Sequence, residues 1–295
     1  MQSTLCNLCP RCCNVLRMAE RGDGFCRCGS MARIARAAVH RGEEPCISGT
    51  RGSGAVFFTG CNLRCVFCQN IDVSRGRVGQ SVDAQRLGEI FQELRAQGVH
   101  NINLVTPSHH AALLSKVIPA DFGIPFVWNS GGYDAVEALR LLEGKIQVYM
   151  PDLKYLDGDI AARYSAAPDY PAVAKAAILE MFRQVGPIEL DAQGLLRRGV
   201  LIRHLVLPGC VDDTLDIIDW VSGTFARGEV LFSLMAQYTP IGDLTAFPEI
   251  NRPLSPEEYR RATDYLYLTG LDSGYLQELG ACGQDAIPAF DLTGV

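Results

Sequence analysis

The stretch "AVFFTGCNLRCVFCQN", residues 55–70, decides how this chain is read. Its first five residues are a short apolar run closed by Gly60, the pattern of a buried strand. The run leads straight into Cys61, Cys65 and Cys68, spaced by three residues and then two. A cysteine loop that follows a strand directly stands at that strand's carboxyl end, where parallel sheets gather their functional groups. Thiolates are soft ligands suited to zinc or iron–sulfur clusters. Structural zinc normally takes four protein ligands. Three thiols therefore fit a zinc completed by a distant cysteine, or a four-iron cubane with one iron open to a small molecule. Three cysteines packed as small hydrophobes are the remaining alternative.

Outward from this loop, short apolar runs alternate with helical patterns. The run at 55–59 is followed by helical spacing over 83–97, which stops at Gly98. Further runs lie at 102–105, 125–128 and 146–150, separated by helical stretches at 108–118 and 133–143. A helical section near 172–185 precedes the runs at 200–207 and 230–235, with helices near 212–226 and 256–268. Regular alternation of this kind predicts an α/β fold with a parallel sheet. Six units are too few for a closed eight-unit barrel, so the expectation is an open, partial (β/α)6 TIM-like barrel over 51–295 with a C-terminal helical segment. A cysteine-rich, metal-binding extension over 1–50 precedes it, with one helix expected at 31–40.

The chain has 295 residues, a net charge of −6 and a pI near 5.4. Nothing there provides the basic patch of a nucleic-acid binder. No apolar run reaches the roughly 18 residues of a membrane helix, and the first residues, "MQSTLCNLCPRCC", lack the apolar core of a secretory signal. A cytoplasmic location follows as an expectation. Twelve cysteines in such a setting point to metal or redox chemistry rather than disulfides.

C-x3-C-x2-C with Phe67 before the last cysteine resembles the signature of the radical S-adenosylmethionine (SAM) superfamily. The longer context "GSGAVFFTGCNLRCVFCQN" resembles the pyruvate formate-lyase activating enzymes, in particular their PflX-type relatives. The resemblance implies a [4Fe-4S] cluster on Cys61, Cys65 and Cys68, whose open iron chelates the amine and carboxylate of SAM. It implies reductive cleavage of the sulfonium to a 5′-deoxyadenosyl radical, which abstracts hydrogen from a substrate. Phe67 would border the adenine. The implied partners are an electron donor such as flavodoxin or ferredoxin and a glycyl-radical enzyme, or another protein, peptide or small-molecule substrate.

The strand ends supply candidate SAM contacts. Where activating enzymes carry Gly-Gly-Glu for the amine, this chain reads "NLVTPSHH", which leaves Thr106 and Ser108, with His109 and His110 beside them. "FVWNSGGYD" places Asn129 and Ser130 where the resemblance implies groups near the carboxylate and a monovalent cation. "VYMPDLKY" carries Asp152 and Lys154, two apart and so on one side of an extended chain. In "VLIRHLVLPG", alternation sends Arg203 and His204 to opposite faces. A buried Arg203 needs an anionic partner. "SLMAQYTP" offers Gln237 and Tyr238.

"CNLCPRCCNVLR" and "GFCRCG" hold six thiols. Cys6, Cys9, Cys13 and Cys26 form the preferred ligand set, with Cys12, Cys28 and Cys46 as alternatives. The spacing suits zinc or a second [4Fe-4S] cluster equally. Either a structural knot or an electron relay would account for it. Cys210 is expected to be an ordinary thiol, and Cys282 an ordinary thiol or part of a substrate loop. A non-catalytic iron–sulfur carrier or redox sensor is the competing class. Such a carrier has no use for amino-acid-binding groups at successive strand ends.

Overall fold

The computed structural model describes residues 5–280 and 288–295. Cys282 lies outside them. The strands are β1 (Ala32–His40), β2 (Ser53–Phe58), β3 (Gln80–Val82), β4 (Ile102–Val105), β5 (Phe126–Ser130), β6 (Val148–Pro151), β7 (Glu189–Leu190), β8 (Leu196–Leu205), β9 (Leu231–Met235) and β10 (Gly274–Leu276). The helices are α1 (Pro45–Ser48), α2 (Ile71–Ser74), α3 (Ala84–Ala96), α4 (Ala111–Val117), α5 (Val136–Arg140), α6 (Gly158–Ser165), α7 (Tyr170–Val185), α8 (Val211–Thr224) and α9 (Pro256–Thr269).

Six strands, in the order β2-β4-β5-β6-β8-β9, pair in parallel and in chain order. This is the expected six-unit partial barrel. Its curvature follows from geometry. Asn103 on β4 bonds Glu43, and Ser233 on β9 bonds the adjacent Glu44. Four strand spacings of about 4.8 Å would separate β4 from β9 in a flat sheet, so the sheet must wrap around these two glutamates.

Helices cover the outside because their apolar residues recur at helical spacing. In α3, Asp83 caps the backbone amide of Arg86, and Leu87, Ile90, Phe91 and Leu94 face the sheet. α9 opens with a capping box between Ser255 and Glu258. No helix among the described residues is long and apolar enough to cross a membrane.

The segment expected as a helix at 31–40 is strand β1, paired antiparallel with β2 and β3. Its alanines favour helix, but Ala32, Ile34, Ala35 and Ala37 are buried in the sheet, and that tertiary pairing outweighs local propensity. β1 thus belongs to the main sheet, and the part of the extension standing apart from it ends near residue 31. Because β1 runs against β2, the connection 41–52 crosses the amino-terminal end of the barrel. There Cys46 and Ile47 pack on Val127, Val148, Met150, Leu201 and Leu231, which closes the barrel floor.

Two glycines beside the cysteine loop and the β5 end are required by the backbone. Gly60 has φ +88°, and a Cβ there would stand 2.2 Å from Cys28 Sγ. Gly132 has φ +75°, and its Cβ would stand 2.1 Å from the Asp152 carbonyl oxygen. Left-handed backbone alone costs an L-residue about 1–2 kcal/mol, and this contact is with rigid backbone. Gly132→Ala is expected to destabilise the fold by at least about 2 kcal/mol, lowering Tm by roughly 4–8 °C. An unchanged thermal unfolding midpoint would contradict this.

Candidate functional site

The three cysteines lie above the carboxyl end of β2, and the chain fixes their loop from several sides. Asn62 donates to the Tyr133 carbonyl at 2.6 Å, while the amides of Arg64 and Val66 donate to Ser165 and Tyr164 carbonyls in α6. Each sulfur also receives a donor. The Leu63 amide reaches Cys61 Sγ at 3.3 Å, the Ser165 hydroxyl reaches Cys65 Sγ at 3.0 Å, and Ser74 and the Asn70 amide bond Cys68. Tyr155 pairs with the Ser165 hydroxyl at 2.9 Å. Burial, reinforced by Cys65 and then Cys68, pushes the Cys61 thiol up to about 12. Burial likewise raises Cys68. With the Cys61 and Cys68 thiols raised by burial, a cationic centre is what favours their thiolate forms, and three sulfurs furnished with hydrogen-bond donors fit an iron–sulfur cluster.

Hydrogen bonds to cluster sulfurs set reduction potential. Ser165→Ala should therefore lower the potential of a cluster held here. A differential of about 1 kcal/mol corresponds to roughly 40 mV for one electron. Redox titration followed by EPR measures it, and an unmoved potential would remove Ser165 from this role.

Below the loop, charged side chains converge in the barrel lumen. Lys154 Nζ meets Asp152 Oδ2 at 2.6 Å, and Arg203 Nε meets Asp152 Oδ1 at 3.1 Å. Burial alone would raise the Asp152 carboxyl, but Lys154 and Arg203 hold it below its ordinary value. Lys154 pays a burial penalty too, yet Asp152 and then Cys65 keep it firmly protonated. It is the cation that couples the lumen to the cysteine loop. Arg203 also donates to Asn129 Oδ1 at 2.7 Å and to Glu43 Oε2 at 3.1 Å. The amides of Asn103 and Asn129 donate to Glu43 Oε1 at 2.9 and 3.2 Å. Glu44 lies 3.9 Å from Arg203, with Oε2 buried and lacking a hydrogen bond. Burial raises its carboxyl, against the pull of Arg203.

Asn129, Asp152, Lys154 and Arg203 thus come together in one network. Thr106 follows β4 at φ +60°, an uncommon conformation for a β-branched residue, and its amide donates to the Asn129 carbonyl at 2.8 Å. Backbone strain of this kind concentrates at functional sites. Phe67 is buried edge-to-face against Tyr238, with centroids 5.9 Å apart, and the Tyr238 hydroxyl donates to the Ile250 carbonyl. Gln237, two residues beyond β9, accepts a hydrogen bond from the Gln277 side chain.

Other candidates lie elsewhere. Ser108 and Ser130 both bond the buried carboxylate of Asp134, Ser130 at 2.5 Å, so their hydroxyls brace β5 instead of lining the lumen. His204 points to the outer layer, between the Leu153 carbonyl and Thr214, and burial lowers it to about 4. His109 and His110 are fully buried behind the cysteine loop, neither on the surface nor in the lumen. His109 Nε2 shares the Thr59 carbonyl with Cys28 Sγ. Both His110 nitrogens lack hydrogen-bond partners. Cys46 lies in the barrel floor, which removes it as an alternative ligand beside the N-terminal cysteines. Cys12 is exposed, and Cys210 is a core thiol. Sequence reasoning missed Glu43, Glu44, Asp134 and Ser165. The "EEPC" stretch held the only signal, two acids ahead of a buried apolar turn.

Residues 48–137, which include all three cysteines, match the family described as a 4Fe-4S single cluster domain. Fold and site together define a partial barrel whose mouth carries three cysteines, a donor set suited to an iron–sulfur cluster. Over 282 residues the chain is 32% identical to protein MJ0674 of Methanocaldococcus jannaschii, covering 92% of this chain and 76% of that one. The chain belongs to the family of that archaeal protein. Similar solved structures include Streptococcus suis SuiB bound to S-adenosylmethionine, 12% identical with TM-score 0.46, covering 78% of this chain. This chain spans about half the length of SuiB (47%). A spore photoproduct lyase with dinucleoside spore photoproduct is 11% identical with TM-score 0.49, covering 75% of this chain and 74% of that one. Methylornithine synthase (PylB) is 14% identical with TM-score 0.45, covering 85% and 74%.

Proposed function

We propose that this protein is a radical SAM enzyme, with Cys61, Cys65 and Cys68 holding a [4Fe-4S] cluster. When bound, that cluster supplies the electron that cleaves SAM to 5′-deoxyadenosine by way of a carbon radical. One observation carries the reading: three donor-furnished thiols stand over a lumen that presents a buried ammonium, a guanidinium and carboxylates. An iron–sulfur carrier has no use for such a lumen, because burying charge is costly even when it is paired and simple electron transfer does not need it.

The chain's residues have separate tasks in this reading. Lys154, held protonated, presents a cation beneath the loop for the carboxylate of the methionine moiety. Asp152 keeps Lys154 and Arg203 in place. The strained Thr106 turn, tied by its amide to the Asn129 carbonyl, occupies the place of the missing Gly-Gly-Glu motif and is assigned the amine side of the cofactor. Phe67 and Tyr238 form the aromatic wall for the adenine. Asn129 joins the β5 end to Arg203 and lines the carboxylate side. The floor, where Cys46 and Ile47 pack on the strand bases, closes the lumen from below, which leaves the cysteine side for the substrate.

The resemblance to activating enzymes supports a protein glycine as hydrogen donor and a flavodoxin or ferredoxin as reductant. The test is anaerobic: reconstitute with iron and sulfide, reduce, add SAM and assay 5′-deoxyadenosine. Product is expected. None from a fully loaded, reduced cluster, with or without a glycyl-radical enzyme present, would sink the enzyme reading. A glycyl-radical EPR doublet on an added partner tests the activase assignment separately.

A further inference from the structure

We infer that the N-terminal segment holds a second iron–sulfur cluster, on Cys6, Cys9, Cys13 and Cys26, that passes single electrons to the Cys61, Cys65 and Cys68 site. Only its electron acceptor rests on the function proposed above. Residues 5–31 have no helix, and their backbone pairing is three isolated bridges. Leu5, Leu16 and Met18 are exposed. A segment with so little core is held together by what its ligands bind. The four thiols line one pocket with Val15, Arg17 and Cys28. Cys12 and Arg27 adopt positive φ, at 42° and 59°, which turns the chain back on itself around the pocket.

The spacing of the sulfurs favours iron over zinc. In a tetrahedral zinc site with Zn–S near 2.3 Å, neighbouring sulfurs stand about 3.8 Å apart. Among the described residues, the only trio of ligand atoms all within 4.8 Å is Cys28, His109 and His110. No three of Cys6, Cys9, Cys13 and Cys26 meet that spacing, and neither do Cys61, Cys65 and Cys68. The N-terminal thiols thus share the wider arrangement of the matched cluster site, as expected where each thiolate binds a separate iron. Cys28 and His109 direct their close atoms to the Thr59 carbonyl.

The pocket is also prepared for negative charge. Arg17 donates to the Cys28 and His109 carbonyls, while its Nη2 is buried with no partner. The Phe25 amide donates to Cys13 Sγ at 3.3 Å, and the Arg11 amide bonds Cys9. A four-thiolate cluster is anionic, and it would supply the missing partner for Arg17.

Position makes the relay. Cys28 Sγ interacts with both Cys26 and Cys61, and it packs against Gly60, the residue before Cys61. Arg11 bonds the Asn62 and Ala166 carbonyls, which clamps the segment to the cysteine loop. One electron enters from a low-potential one-electron carrier of the flavodoxin or ferredoxin class and leaves to the second site. No bond is made or broken and no proton moves.

The test uses the full chain, reconstituted anaerobically with ferrous iron and sulfide. About eight irons per chain are expected, falling to about four in Cys61→Ala/Cys65→Ala/Cys68→Ala and in Cys26→Ser, with Cys12→Ala unchanged. Dithionite-reduced wild type should show two magnetically interacting spins. Zinc without iron in the triple variant, about four irons in loaded wild type, or a single isolated spin each overturn the proposal. The wild-type count and spectrum decide the matter even if a variant fails to fold. Eight irons with no spectral response to SAM would defeat the proposed function and leave the second cluster standing.

Discussion

Cys65→Ala should abolish 5′-deoxyadenosine formation while leaving the barrel folded. Each thiolate of a three-ligand cluster holds one iron, so losing one leaves two anchors for four metals, and iron content should fall by about four per chain. The fold survives because the loop is secured independently. The Asn62 bond to the Tyr133 carbonyl and the Arg64 and Val66 bonds to α6 do not pass through sulfur. Circular dichroism should match wild type. Cys210→Ala is the control: it removes a buried core thiol, costs stability, and should retain full product formation. Iron analysis beside product assay distinguishes the two. Retained iron and product in Cys65→Ala would exclude this loop as the reactive centre.

The parts of the molecule written in local pattern could be read from the sequence. The six parallel strands announced themselves as apolar runs between helical spacings, and the functional loop as thiols following the first of them. Arg203 and His204 on opposite faces follow from strand alternation alone. What escaped depends on the path of the chain in space. β1 is rich in alanine, and only its pairing with β2 makes it a strand. Once β1 runs antiparallel, residues 41–52 must cross the barrel floor, and Glu43 and Glu44 enter the lumen from beneath. No spacing rule connects Glu43 with Arg203, 160 residues away. Ser165, on a helix absent from the sequence reading, reaches Cys65 across 100 residues. Ser108 and Ser130 were misplaced for the same reason. Asp134 lies one turn beyond β5 and draws both hydroxyls to itself.

Arg203→Ala should be among the most destabilising substitutions, with a penalty that grows with pH. Arg203 joins Asp152, Glu43 and Asn129, and it stands 3.9 Å from Glu44; side-chain exposure is 10–17% for the charged members. Removing one partner of a buried ion group costs about 3–5 kcal/mol, because the others remain charged without compensation. For a chain of this size that corresponds to a Tm loss of roughly 6–20 °C. In wild type the Asp152 carboxyl lies below its unfolded value, so its contribution is present above the unfolded pKa and lost as pH falls through the folded one. In the variant Glu44, whose carboxyl burial already raises, loses the pull of Arg203 and rises further, while Lys154 still holds Asp152. A raised carboxyl makes the native state bind more protons than the unfolded state, so stability falls as pH rises. The gap between variant and wild type should therefore be widest near pH 8 and shrink toward pH 5. Arg203→Lys keeps the charge but loses the fork that reaches three partners, so it should fall between the two. Thermal unfolding across pH 5–8 measures all of this. An equal deficit at every pH would mean that Arg203 contributes packing alone and that the lumen carboxylates do not depend on it.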